Sequence, residues 1–195
     1  MASWIACVSL WIGFVCAFAC GVPAHAALRP GDHIGQVKLI KAKPNTLNVV
    51  AFCAARFTMG HGSYQPGIYR QTCAVAPSAV LGIGPRWIAS ANDRYGQQAH
   101  NMHWMMYLDG RPVDLGAFGD IVTGGTGSGA TQHHVWAVAL AKPRGTHTLR
   151  TILTLDTEMN DGEHRYAAGT YDMTTRFTLV FRCRDPHTTS CWRDW

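Results

Sequence analysis

The sequence predicts an all-β fold, an antiparallel β-sandwich, and three observations support this. Segments 146–156 and 174–184 alternate apolar with polar residues, and a period of two gives a strand one buried face. Charged residues make up only 15% of the chain, and Thr, Val and Trp are common, which disfavours long surface helices. Gly-rich turns separate the predicted strands at short intervals, as in sandwiches.

The N-terminal 26 residues predict an export signal. They contain no charged side chain, include the apolar run Trp4–Ala19, and end in small residues that permit cleavage after Ala24 or Ala26. We therefore expect residues 1–26 to be a signal peptide, with a secreted or otherwise extracytoplasmic location in the periplasm or at the cell surface. Membrane contact is expected only if this segment is retained as an anchor. Residues 27–195 then form one domain.

Four cysteines follow the predicted signal: Cys53, Cys73, Cys183 and Cys191. An even number in an oxidising compartment predicts two disulfides, for which three pairings are possible. We favour Cys53–Cys73 and Cys183–Cys191, because each closes a short local loop. A thiolate metal site is the alternative, but no pair of these cysteines has C-x₂-C spacing.

Residues 28–100 predict additional N-terminal strands and loops without a recognisable pattern. Val37–Ile40 is a short apolar stretch, and Pro44-Asn45 is a turn signal. The apolar segment 47–57 permits either a buried strand or a short helix. Residues 68–75 and 87–89 predict strands, whereas Pro and Gly make 77–85 too irregular for a helix.

Residues 101–184 are easier to interpret. We predict strands over 102–109, 133–140, 146–156 and 174–184, and a tail over 185–195. Asp109-Gly110 predicts the turn after the first of these strands. The Gly-rich run 124–129 predicts a flexible loop.

Residues 102–182 resemble bacterial immunoglobulin-like and fibronectin-III-like domains. Met105–Val113 looks like their strand, Asp-Gly and turn, and Gly145–Arg150 resembles the phrase Gly-x-His-Thr-Leu that opens their penultimate strand. Segments 156–162 and 175–180 resemble the hairpin and the closing strand. The resemblance implies a sandwich of that type and says almost nothing about function, because such sandwiches host many roles.

Copper is the one cofactor that the residues suggest. Imidazole and thioether side chains in 100–106 suit this soft metal, and His100, Met102, His103 and Met105 are the candidate ligands. A strand sends alternate residues to opposite faces, so neighbouring strands would have to complete such a site. A second copper hypothesis arises if cleavage follows Ala24, because His25 would then be the mature N-terminus, as in lytic polysaccharide monooxygenases.

The sequence contains two further candidate binding sites. Trp87, Trp192 and Trp195 are candidates for an aromatic platform that stacks on sugar rings. The acidic segment 156–163 resembles a calcium loop, but its Gly and Glu spacing does not match an EF-hand, which favours a solvated hairpin turn.

These observations predict an exported, non-catalytic binding or structural module. No nucleophile elbow or zinc-protease motif is present, and no catalytic residue is predicted. The net charge of +5 is scattered, so nucleic acid is not expected as a partner. We expect the loops at 60–67 and 124–131 to contact a cell-surface protein or polysaccharide. A copper-binding protein, including a copper oxidoreductase, and a carbohydrate-binding module are the alternatives.

Overall fold

The computed structural model describes residues 26–49, 53, 63–76, 78–90, 98–124, 131–161 and 164–180. These residues include fifteen strands, one 3₁₀ turn at Ala99–Asn101 and a short helix, α1, at Leu115–Phe118. Val49 and Cys53 are also helical. The strands are β1 His33–Ile34, β2 Val37–Lys41, β3 Ser63–Tyr64, β4 Gly67–Val75, β5 Val80–Gly82, β6 Arg86–Ser90, β7 Met102–Leu108, β8 Arg111–Pro112, β9 Asp120–Gly124, β10 Thr131–Trp136, β11 Val138–Ala141, β12 Thr146–Leu155, β13 Met159–Asn160, β14 Arg165–Tyr166 and β15 Gly169–Leu179.

The largest sheet has five strands in the order β4-β15-β12-β7-β8. Its centre is the antiparallel pair β12 and β15, whose register runs from Thr146 opposite Thr178 to Leu155 opposite Gly169. Strand β4 joins the outer side of β15 in parallel. The alternation predicted for β12 and β15 is confirmed, since Leu149, Leu153 and Phe177 are all buried.

A second layer consists of two smaller sheets, β1-β2-β11-β5 and β6-β10-β9. They continue one another, because β10 and β11 are separated only by Ala137. Main-chain bonds cross this break: Ile83 N donates to the Val138 carbonyl at 2.9 Å, and Trp136 N donates to the Pro85 carbonyl at 3.1 Å. A further small sheet has the strand order β13-β14-β3.

The two layers enclose the hydrophobic core. Its larger cluster joins residues of the five-stranded sheet, such as Leu149 and Phe177, with Leu39, Leu81 and Leu140 from the facing sheet. A second cluster includes Trp87, Met102, Leu155 and Tyr171. Burial of such side chains is the main driving force for folding.

This architecture confirms the predicted all-β antiparallel sandwich, and the immunoglobulin or fibronectin-III type stays a prediction. Several details differ from expectation. The strand expected at 133–140 is divided at Ala137, and the strand expected from Thr174 begins at Gly169. The turn after Asp156 is not simply solvated, because Met159 and Asp161 are buried at 3% and 2% exposure. Asp161 is held by the Tyr166 hydroxyl, which donates to its Oδ2 at 2.9 Å.

Candidate functional site

An open cleft of about 450 Å³ lies between the 42–48 turn and one face of the β6-β10-β9 sheet. We call it the 42–48 cleft. Its volume falls in the range of small-molecule sites. The described residues that line it are Ala42, Lys43, Pro44, Asn45, Thr46, Leu47, Asn48, Gly82, Arg86, Ile121, Thr123, His133, Val135, Trp136 and Val138.

Strand register explains why the sheet side of the cleft has its composition. Val135 lies opposite Arg86 on β6 and opposite Ile121 on β9. His133 lies opposite Thr123 in the same way. Because directly opposed residues in antiparallel strands share a face, these five side chains form one continuous surface.

The other wall is a turn held by its own side chains. The Thr46 hydroxyl donates to the Lys43 carbonyl at 2.7 Å and accepts from Lys43 N at 2.9 Å. Asn45 has a φ of +68°, a conformation that Asn tolerates better than most residues. Asn48 Nδ2 donates to the Gly84 carbonyl at 3.0 Å, which fastens the wall to the sheet.

Two glycines allow neighbouring main-chain segments to pack closely at the cleft. Gly82 N donates to the Leu47 carbonyl at 2.6 Å, and a Cβ at Gly82 would lie 3.1 Å from that oxygen. At Gly84 a Cβ would lie 1.9 Å from the Trp136 carbonyl oxygen, which is too close for any other residue. The sequence predicted that 77–85 is too irregular for a helix, and in the structure Gly82, at the end of β5 within this segment, lines the cleft.

The charges at the cleft have one sign. Lys43 and Arg86 are exposed cations, and the described lining residues include no carboxylate. Leu47, Ile121 and Val135 supply apolar surface between the polar groups. Such a cleft is complementary to a ligand with an anionic group and an apolar body.

The structure does not gather the predicted copper ligands on one surface. Met102 is buried in the second core cluster, whereas Met105 is 50% exposed on the opposite face of β7. His100 is exposed in the 3₁₀ turn, and exposed His103 Nε2 lies 2.8 Å from Asp156 Oδ2. Within the described ranges, no three or more His, Cys, Asp or Glu residues converge as a metal site would require. A copper role for these residues stays a prediction.

Of the three residues predicted to form a carbohydrate platform, the structure describes Trp87. Trp87 is only 3% exposed and packs against Tyr166, with ring centroids 4.8 Å apart, so its face is not available for stacking on a sugar. Trp192 and Trp195 lie outside the described residues, as do His25 and, from the two predicted contact loops, residues 60–62 and 125–130. Within the first of these loops, Ser63–Tyr64 forms β3.

One of the two predicted disulfides is confirmed. Cys53 and Cys73 are bonded, and both are buried in the larger core cluster. The bond fits an oxidising compartment. Cys183 and Cys191 lie outside the described residues. Among the helices of the described residues, none has the length and apolar character needed to cross a membrane.

Sequence reasoning found parts of the cleft but not the cleft itself. The Pro44-Asn45 turn and a strand that contains His133 and Val135 were predicted. Nothing in the sequence placed Lys43 and Arg86 beside Ile121, because the three residues lie on segments far apart in the chain. The cleft depends on the pairing of β10 with both β6 and β9, and the local sequence pattern does not show which strands pair.

Comparisons with known proteins do not place the chain in a family. No protein-family model matches it, and no curated protein matches it. A solved structure with weak similarity is a cysteine protease inhibitor from Entamoeba histolytica, at 13% identity. The match covers 60% of this chain and all of that one, with a TM-score of 0.21, a value too low to support a shared fold or function.

Proposed function

We propose that this protein is an exported, non-catalytic binding module, and that its 42–48 cleft holds an organic anion with an apolar body. The observation that carries the proposal is the pairing of Lys43 and Arg86 with apolar Leu47, Ile121 and Val135 in a cleft whose described lining lacks carboxylates. Guanidinium and ammonium groups bind carboxylates by charge-assisted hydrogen bonds.

The cleft walls support a preorganised site. The Thr46–Lys43 bonds and the Asn48 bond to Gly84 hold the 42–48 turn against the sheet. A site that is already formed loses little conformational entropy on binding, which favours affinity. The buried Cys53–Cys73 disulfide supports export, because such bonds persist in oxidising compartments.

The test is a thermal-shift screen of the purified protein against small organic carboxylates, each paired with its neutral amide. A ligand that binds only the folded state raises the Tm, and the rise grows with the logarithm of its concentration once the site is saturated. We expect carboxylates with aromatic or branched apolar bodies to raise the Tm and their amides to have no effect. The shift should disappear in Lys43→Gln/Arg86→Gln.

Lys38→Gln is the matched control, because Lys38 is an exposed lysine on β2 that does not line the cleft. It should leave the shift unchanged. A screen in which amides and carboxylates act alike, or in which the double variant still responds, would refute the proposal.

A further inference from the structure

The outer face of the five-stranded sheet carries a row of side chains with an exposed apolar residue at each end. Strand register places Ile68 beside Asp172, Asp172 beside Ile152, and Ile152 beside Met105. With strands about 4.8 Å apart, the row extends roughly 14 Å across four strands. Ile68 and Met105 are 68% and 50% exposed, and with Val122 they are the exposed large hydrophobic residues of the described chain.

The next row on the same face is cationic and aromatic. Arg70 lies beside Thr174, Thr174 lies opposite Arg150, and Arg150 lies opposite Tyr107. The Arg150 guanidinium carbon is 5.9 Å from the Tyr107 ring centroid. Arg, Tyr and Met are enriched at protein interfaces, where Arg and Tyr often carry much of the binding energy.

Arg150 is fixed in position before any partner arrives. Its Nε and Nη2 donate to the two carboxylate oxygens of Asp172 at 2.8 and 2.7 Å. These hydrogen bonds, with the charge of Arg150 and a smaller effect of Arg70, hold the pKa of Asp172 below its ordinary value. A guanidinium oriented in this way loses little rotamer freedom when it makes further contacts.

Two other arginines on this face have no such neutralising partner. Arg70 and Arg176 are exposed, and neither forms a salt bridge with a described residue. Arg176 lies beside Thr72 and opposite Thr148. Since Asp172 is already bound to Arg150, the face keeps a positive charge.

We infer that this outer face docks an acidic protein partner, whose surface presents carboxylates to Arg70 and Arg176 around an apolar patch that covers Ile68 and Met105. The charge argues against a second copy of the chain, because two such faces would repel each other. The positions of Ile68 and Met105 argue against a bilayer, since both lie within strands rather than on a loop that could enter the lipid.

The test is selection of a phage-displayed random peptide library against the full mature protein. We expect selected peptides to be enriched in Asp and Glu together with apolar residues. In fluorescence anisotropy, Arg70→Glu/Arg176→Glu should weaken their binding by at least about tenfold, and Met105→Ala should weaken it less. Arg86→Glu, which alters the 42–48 cleft and not this face, should bind as the wild type does.

Three outcomes would overturn the inference. In the first, the selection yields no binding peptides. In the second, the selected peptides bind the double arginine variant as well as the wild type. In the third, the protein binds phosphatidylglycerol vesicles more strongly than any selected peptide. Circular dichroism of the double variant shows whether it is folded. If Arg86→Glu abolishes peptide binding and the double arginine variant does not, the peptides bind in the 42–48 cleft. That result would count against this face.

Discussion

Asp109 and His147 join the turn after β7 to the beginning of β12. His147 Nδ1 lies 2.7 Å from Asp109 Oδ2, and Thr148 N donates to Asp109 Oδ1 at 2.7 Å. The second ring nitrogen, His147 Nε2, lies 2.9 Å from the Arg144 carbonyl oxygen. The two sequence motifs that resemble those of immunoglobulin-like domains, Asp-Gly and Gly-x-His-Thr-Leu, are therefore in direct contact through these side chains.

Replacement of His147 by Leu should destabilise the protein strongly. The His147 side chain is 7% exposed, and its loss leaves the Asp109 carboxylate and the Arg144 carbonyl without this partner. Hydrogen bonds to charged groups contribute about 1.5–3 kcal/mol, so we expect a loss of about 2–3 kcal/mol in the free energy of unfolding. Urea denaturation monitored by tryptophan fluorescence measures it.

His103 provides the matched control. It forms the same type of contact, 2.8 Å from Asp156, but its side chain is 58% exposed. Exposed pairs contribute little, so His103→Leu should cost less than about 1 kcal/mol. Equal losses in the two variants would show that burial does not determine the strength of these contacts.

His134 should make the protein less stable in mildly acidic solution. Burial lowers the pKa of His134 below its usual value of 6.5, although Asp120, 3.8 Å away, opposes the shift. The unfolded chain therefore binds a proton at higher pH than the folded one does. The His134 contribution is present above pH 6.5 and is lost as the pH falls from 6.5 to the lower folded value.

Denaturation curves at neutral pH and at a pH of about 5 test this prediction. The stability of the wild type should fall more over this interval than that of His134→Leu, which cannot titrate. The other histidines are common to both proteins and cancel in the comparison. A larger acid loss in the variant would contradict the direction of the shift.

Removal of the Cys53–Cys73 disulfide should destabilise the fold. The bond joins residues separated by 20 positions, and a loop of this size contributes about 3 kcal/mol by restricting the unfolded chain. The Cys53→Ala/Cys73→Ala variant should therefore have a lower Tm by calorimetry. If its Tm matches that of the oxidised wild type, the bond makes no net contribution.

Gly84→Ala should damage both the fold and the cleft. Its Cβ would lie 1.9 Å from the Trp136 carbonyl oxygen, a main-chain atom that cannot move aside alone. We expect a loss of about 3 kcal/mol or more, at the upper end for overpacking. In Gly116→Ala the Cβ would meet Asp114 Oδ1 at 3.5 Å, so that variant should be close to neutral in thermal unfolding. Similar midpoints for the two variants would contradict this account.

The sequence predicts the central strands well because their local pattern agrees with their tertiary role. Strands β12 and β15 alternate, and the structure buries one side of each. Strands β3, β13 and β14 are two residues long and were not predicted. So short a strand has no detectable period and exists only through its pairing partners.

The candidate site was harder to predict, because it depends on which strands become neighbours. Lys43 and Arg86 belong to different segments, and only the pairing of β2 with β11 and of β6 with β10 brings them together. Trp87 illustrates the opposite difficulty. The sequence offered it as part of an exposed sugar-binding platform, yet the face of β6 that carries Trp87 points into the core.

The parallel pairing of β4 with β15 affects how the chain matures. Gln71 on β4 bonds to Thr175 on β15, 104 positions later. A polypeptide made from its N-terminus exposes β4 long before β15 is synthesised, so the edge of β4 stays unpaired over that interval. The five-stranded sheet therefore closes only after nearly all of the described chain is available, and β4 is the strand most open to wrong pairing until then.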